Sequence, residues 1–92
     1  MIKSFKCKES EKIFNHTYSH KLPPQIQKIA LRKLYMINAA VNLSDLKTPP
    51  SNHLKKLKGG EKKYSIRINK QWRICFKWLV NTAYDLEIID YH

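Results

Sequence analysis

The chain opens on an alternation of apolar and polar residues, Ile2-Lys3-Ser4-Phe5-Lys6-Cys7, which predicts a short strand. From about Glu9 to Asn15 the pattern is that of a short helix, with Ile13 and Phe14 as its apolar contribution. Pro23-Pro24 opens a clearer helix, because proline fits a first helical turn, where its missing N–H has no partner to lose. Ile26, Ile29, Ala30, Leu34, Ile37, Ala40 and Val41 recur at helical spacing and predict a core-facing stripe, flanked by Lys28, Arg32 and Lys33. This helix is expected to run to about Val41, with Asn42 as its stop. A connection over Leu43 to Ser51, ending Thr48-Pro49-Pro50-Ser51, leads to His53-Leu54-Lys55-Lys56-Leu57-Lys58 and then to a turn at Gly59-Gly60. The last third reads as a meander: Tyr64 to Ile68, Trp72 to Trp78 and Tyr84 to Ile88 each alternate. A strand, two helices and then four strands predict an α+β fold in a single domain over residues 1–92, with the two N-terminal helices packed on one face of a twisted, mainly antiparallel sheet.

Strand parity sharpens that expectation. Tyr64, Ile66, Ile68, Trp72, Ile74, Phe76 and Trp78 must share the buried face, because a one-residue slip would send the whole set to solvent. With Asn69-Lys70-Gln71 as the loop, Ile68 faces Trp72 and Ile66 faces Ile74. The other face then sets Arg67 opposite Arg73, Lys63 opposite Lys77 and Ser65 opposite Cys75. Like charges directly opposite each other cost about 0.2–1 kcal/mol per pair. Extending the register to the last strand brings Asp85 near Lys77 and Glu87 near Cys75, which leaves the arginine pair without an acid. A phosphate backbone lying across this face accounts for such a pair. The plainer reading is a tolerated surface pair.

Charge supports the phosphate. There are 18 Lys+Arg against 7 Asp+Glu, a net +11. Ten of the basic residues fall within residues 47–77, where Glu61 is the one acid. Residues 78–92 carry Asp85, Glu87 and Asp90 and no basic residue. Crowding of one sign opposes compaction, so a polyanionic partner is the natural explanation, against a face that only confers solubility. The longest apolar run is the four residues Leu34 to Ile37, too short for a membrane span or a secretory segment. Cys7 and Cys75 have no CxxC partner and are expected as free thiols in the cytoplasm. His16 and His20 stand four residues apart, but no second pair completes a zinc site, so no metal and no cofactor are expected.

The chemistry concentrates at Asp90-Tyr91-His92. If these continue the last strand, Tyr91 shares the face of Arg67 and Arg73. A frayed polar terminus is the plainer alternative. Tyrosine and histidine beside an arginine pair form a set suited to RNA cleavage. One group takes a proton from the 2′-OH, another protonates the leaving 5′-oxygen, and cations hold the charge on the phosphorane. RNA carries its own nucleophile, so this chemistry calls for no metal, and a 2′-OH held in line has the advantage of an intramolecular reaction.

Three stretches together resemble a known family. They are Asn52-His53-Leu54-Lys55-Lys56-Leu57-Lys58-Gly59, the run from Tyr64 to Phe76 (YSIRINKQWRICF), and Glu87-Ile88-Ile89-Asp90-Tyr91-His92. With Met1-Ile2-Lys3-Ser4-Phe5 they are similar to the HigB-type toxins, the plasmid maintenance system killer family of the RelE/ParE superfamily. The resemblance implies the RelE-like microbial ribonuclease fold. It implies a bacterial, cytoplasmic, ribosome-dependent mRNA endoribonuclease that cuts the A-site codon by 2′-OH attack and arrests growth. It also implies a cognate helix-turn-helix antitoxin (HigA-like), through which alone the toxin reaches operator DNA, and no membrane. By motif position, Arg73 is the transition-state cation, and Asp90, Tyr91 and His92 form the C-terminal catalytic group. The slot where some members place a histidine holds Lys55 here, with His53 two residues earlier, so the general base is open among His53, Tyr91 and His92. Lys55, Lys56, Lys58, Lys63, Arg67, Lys70 and Lys77 are the expected RNA-binding residues. A gyrase poison on the same fold and a non-catalytic RNA- or ribosome-binding protein are the competing classes.

Overall fold

The computed structural model describes residues 1–91. Helices α1 (Lys8–Phe14) and α2 (Pro24–Ala39) come first. Two short 3-10 turns follow, Leu43–Lys47 and Pro50–Asn52, and then strands β1 (Lys55–Lys56), β2 (Lys63–Arg67), β3 (Trp72–Leu79) and β4 (Thr82–Asp90). The strands pair antiparallel in sequential order. Both helices pack on one face of the sheet, as the α+β pattern predicts.

Each element follows from its residues. α1 carries Glu9 and Glu11 in its first turn and Lys12 in its last, charges that complement the helix dipole. α2 begins at Pro24 and buries Ile26, Ala30, Leu34 and Ile37 along one stripe. It stops at Ala39, short of the expected Val41. The reason lies in Asp45, whose carboxylate accepts the backbone N–H groups of Val41 and Asn42, each at 3.0 Å. These two bonds draw the chain out of the helix, and Asn42, expected to end α2, instead caps the 3-10 turn that follows. Val41 is consequently exposed, not core. Lys33 departs from the pattern in the other direction: expected on the flank, it is only 4% exposed.

The β2–β3 register is the expected one. Arg67 pairs with Arg73, Ser65 with Cys75 and Lys63 with Lys77. Ile66, Ile68, Ile74, Phe76 and Trp78 are buried under the helices, with Tyr64 and Trp72 half-buried at the rim. β4 pairs as expected at Cys75–Glu87; Lys77 faces Tyr84 on the ladder, and its ammonium still reaches the Asp85 carboxylate at 3.7 Å, the expected nearness. A bulge sets Asp85 and Leu86 opposite the single residue Phe76. Asp85 takes φ 53°, a left-handed conformation that aspartate tolerates better than most residues. The bulge turns Ala83, in place of Tyr84, into the core beside Leu86 and Ile88.

The N-terminal segment is not the regular strand its alternation predicts. It runs parallel beside β4 and touches it at two isolated bridges, Ile2–Ala83 and Phe5–Leu86. The ladder breaks where the bulge sits. There the Ser4 hydroxyl accepts the Asp85 N–H at 2.9 Å in place of a backbone carbonyl. β1 is only two residues long, because His53 ends the preceding turn at φ 43° and Leu57 already closes onto the Lys63 carbonyl.

Candidate active site

The face of the sheet turned away from the helices carries the arginine pair. Arg73 is the second residue of β3, paired on both sides, and is 9% exposed. Its Nε donates to the Ser65 hydroxyl at 2.8 Å, and its Nη2 donates to the His53 carbonyl at 2.5 Å. Nη2 also approaches the Ser65 carbonyl at 3.4 Å. All of these partners are neutral. No acid lies within ion-pairing distance of Arg73 or Arg67 among the described residues. Burial pulls Arg73 below the usual guanidinium value, and the Tyr91 side chain acts in the opposite direction. The group stays cationic at neutral pH, since arginine begins so far above it.

Two local devices hold this arrangement. The first is the turn before β1. Asn52 is fully buried; its Nδ2 donates to the carbonyls of Leu46 at 3.1 Å and Thr48 at 3.3 Å, and its Oδ1 accepts the Lys33 ammonium. That bonding fixes the turn so that the next carbonyl, that of His53, meets Arg73. The second is the β2–β3 loop. Asn69 Oδ1 accepts the N–H groups of Gln71 and Trp72, both at 2.8 Å, a side-chain turn that needs no glycine. The Asn69 carbonyl accepts Arg67 Nε at 3.0 Å, so one residue both closes the loop and aims an arginine.

Tyr91 arrives from the far end of β4 and is anchored by its N–H on the Gln71 carbonyl at 2.6 Å. Its ring lies 5.6 Å from the Arg73 guanidinium and 5.2 Å from the Lys55 ammonium. Lys55 Nζ donates to the phenol oxygen at 2.9 Å. A concavity of about 400 Å³ forms between these groups, walled by His53, Lys55, Arg67, Lys70, Arg73 and Tyr91. Its lining holds no acidic residue. A fixed, half-desolvated arginine under a cationic rim has the charge and donors to hold an anionic tetrahedral or trigonal-bipyramidal phosphorus centre, with Tyr91 and His53 in the same wall.

The expected site residues divide on this geometry. His53, Lys55, Arg67, Lys70, Arg73 and Tyr91 converge. Asp90 does not line the concavity. It pairs with Trp72 on the other side of β4 from Tyr91 and accepts Gln71 Nε2 at 2.9 Å. Lys56 and Lys58 flank the Gly59-Gly60 turn. Lys63 and Lys77 border a second hollow on the same face, with Cys75, Asp85 and Glu87. There Lys77–Asp85 at 3.7 Å and Lys6–Glu87 at 3.6 Å offset the basic charge, while among the described residues the Arg67–Arg73 end has no such ion pair. Burial, reinforced by Glu87, pushes the Cys75 thiol in that hollow up to about 11. His92 lies outside the described residues. Sequence reasoning passed over Ser65, Asn52 and Asn69. Only Asn69 left a readable signal, as an asparagine opening a three-residue hairpin loop.

Comparison with known proteins gives a consistent result. A family model described as the RelE-like toxin of the type II toxin–antitoxin system HigB matches residues 3–92. Over 85 residues the chain is 39% identical to a Vibrio cholerae protein named Toxin HigB-1, an overlap of 90% of each chain. Over 93 residues it is 33% identical to a Proteus vulgaris protein named Endoribonuclease HigB, along the full length of both. It is 45% identical over 74 residues to an uncharacterized protein of Haemophilus influenzae, an overlap of 79% of this chain and 72% of that one.

Proposed function

The chain belongs to the HigB-like family of RelE-like toxins of type II toxin–antitoxin systems, and from that premise we propose that it is a ribosome-dependent mRNA endoribonuclease cutting in the A site. The observation that carries this reading is the Arg73 guanidinium, buried among neutral partners and roofed by Tyr91. Folding does not require a cation there, and the expense of desolvating it is met if a phosphoryl group completes its coordination. The relative named Endoribonuclease HigB supports the same activity.

The reaction balances without an external nucleophile. The 2′-OH of one nucleotide attacks the adjoining phosphorus and gives its proton to a base, and the P–O5′ bond breaks as an acid protonates the leaving oxygen. The products are a 2′,3′-cyclic phosphate and a 5′-OH. Arg73 holds the charge that grows on the non-bridging oxygens, and Arg67, Lys55 and Lys70 fix the neighbouring phosphates. Tyr91, His53 and His92 are the proton-transfer candidates. The Lys55 hydrogen bond holds the Tyr91 phenol in place as one of them. Asp90 acts at a distance, through Gln71, whose carbonyl anchors Tyr91. A toxin of this type has a cognate antitoxin, which we propose is a helix-turn-helix protein.

The test is mapping of mRNA 5′ ends after induction in growing bacteria, in wild type and Arg73→Ala. Codon-phased cuts in wild type and their loss in the variant are expected. The loss should be at least about 10²-fold in rate, the cost of removing one preorganised donor to a developing oxyanion. Growth arrest with mRNA intact would overturn the reading. Supercoiling loss under those conditions would point instead to gyrase.

A further inference from the structure

A second concavity of about 350 Å³ lies at the same end of the sheet, between α2 and the β2–β3 loop. It shares His53, Arg67, Asn69 and Lys70 with the first, so the two are neighbouring seats divided by a common cationic wall. Its far side is α2, which contributes Ile29, Arg32 and Lys33. No acidic residue lines it. Lys33 is committed, its ammonium fixed by Asn52. Arg32 is exposed and makes no hydrogen bond or ion pair with any described residue. Its charge lies close enough to Lys33 to contribute, after burial, to pulling that ammonium below the usual lysine value. Arg32 and Lys33, consecutive on α2, both line this seat, with no acid beside them among the described residues. Ile29 and Ile68 add an apolar wall beside the charge, and Ser51 adds a hydroxyl.

Resting on the endoribonuclease reading, we propose that Arg32 seats the phosphate of a nucleotide flanking the cleaved one, so that the bound single strand bends round the end of the β2–β3 hairpin from the first concavity into the second. The ligand is single-stranded RNA of the substrate itself. Arg32 supplies a free guanidinium, Arg67 and Lys70 serve both seats, and Ile29 and Ile68 meet the sugar or base. The seat makes the site's grip depend on strand length.

The test uses the full chain and fully 2′-O-methylated oligoribonucleotides, which cannot be cut, of two to six nucleotides. Affinity is read by fluorescence anisotropy across a salt series. Wild type should gain affinity once the strand is long enough to reach both seats. Arg32→Ala should remove that gain, about fivefold at low salt, and leave dinucleotide binding unchanged. Its slope of log affinity against log salt should become shallower by about 0.7, the value of one phosphate contact on a single strand. Lys28→Ala is the control: it removes the same charge from the same helix, at an exposed position outside both seats, and should alter neither quantity. Equal losses in Arg32→Ala and Lys28→Ala, a loss that extends to dinucleotides, or no length-dependent gain in wild type would each overturn the proposal. Failure of the nuclease reading looks different: length-dependent binding persists while mRNA 5′-end mapping shows no cuts.

Discussion

Ser65 is a small side chain in an exacting place. It is fully buried and holds the Nε edge of Arg73, so its removal strands a charged donor where water does not reach. Ser65→Ala should cost about 1–3 kcal/mol. A thermal melt should register that as a drop of at least about 4 °C, and mRNA cutting should fall along with it, because Arg73 loses the acceptor of its Nε. Cys75, across the sheet from Ser65, makes a pH prediction. Its folded pKa of about 11 lies above the unfolded thiol value of 9.0. A raised acid pKa means that the neutral thiol is what the fold accommodates. The contribution to stability is therefore intact below 9.0 and is lost as pH climbs from there through about 11. Iodoacetamide should label Cys75 slowly at pH 8, faster only as the thiolate appears or the protein is unfolded, whereas the half-buried Cys7 reacts first. Equal labelling of both thiols at pH 8 would refute this.

At the scale of elements, the turn before β1 and the bulge in β4 determine where the site stands. Asn52 joins that turn to α2 through Lys33, so Asn52→Ala removes the bonds to the Leu46 and Thr48 carbonyls and leaves a buried ammonium without its acceptor. A loss of about 2–4 kcal/mol is expected in urea unfolding, with cutting reduced because the His53 carbonyl drifts from Arg73. Asp85 tests the bulge. Asp85→Asn should be nearly neutral, whereas Asp85→Val forces a β-branched residue into a left-handed conformation and should cost about 1–3 kcal/mol. These two elements also mark the boundary of what sequence could convey. Period-two alternation made β2, β3 and the Arg67–Arg73 pairing legible, because register there is enforced by burial. The Asp85 bulge has no period of its own; it exists because Ser4, eighty-one residues away, offers a hydroxyl to the bulged N–H. Lys33 looked like a flank for the same reason: its partner Asn52 belongs to a turn that helical periodicity cannot see.

For the molecule as a whole, charge placement outweighs charge total. The open face separates into a half where acids offset lysines and a half where no acid lines the hollow. RNA binding should thus be strongly salt-dependent, and Arg67→Ala or Lys70→Ala should flatten that dependence more than Lys63→Ala or Lys77→Ala. A salt titration of affinity in the four variants checks this, and four equal slopes would contradict it. Much of the site was readable from residue types and strand parity, but its position against α2 was not, since that rests on packing. The segment beside β4 has one further consequence. Ile2 and Phe5 bridge to Ala83 and Leu86, and Tyr91 follows directly on the same strand. During synthesis, Ile2 and Phe5 therefore wait without a partner until Ala83 and Leu86 have emerged. Tyr91 emerges later still, so a partly made chain lacks both the finished sheet edge and the ring that roofs Arg73, and the two are completed together.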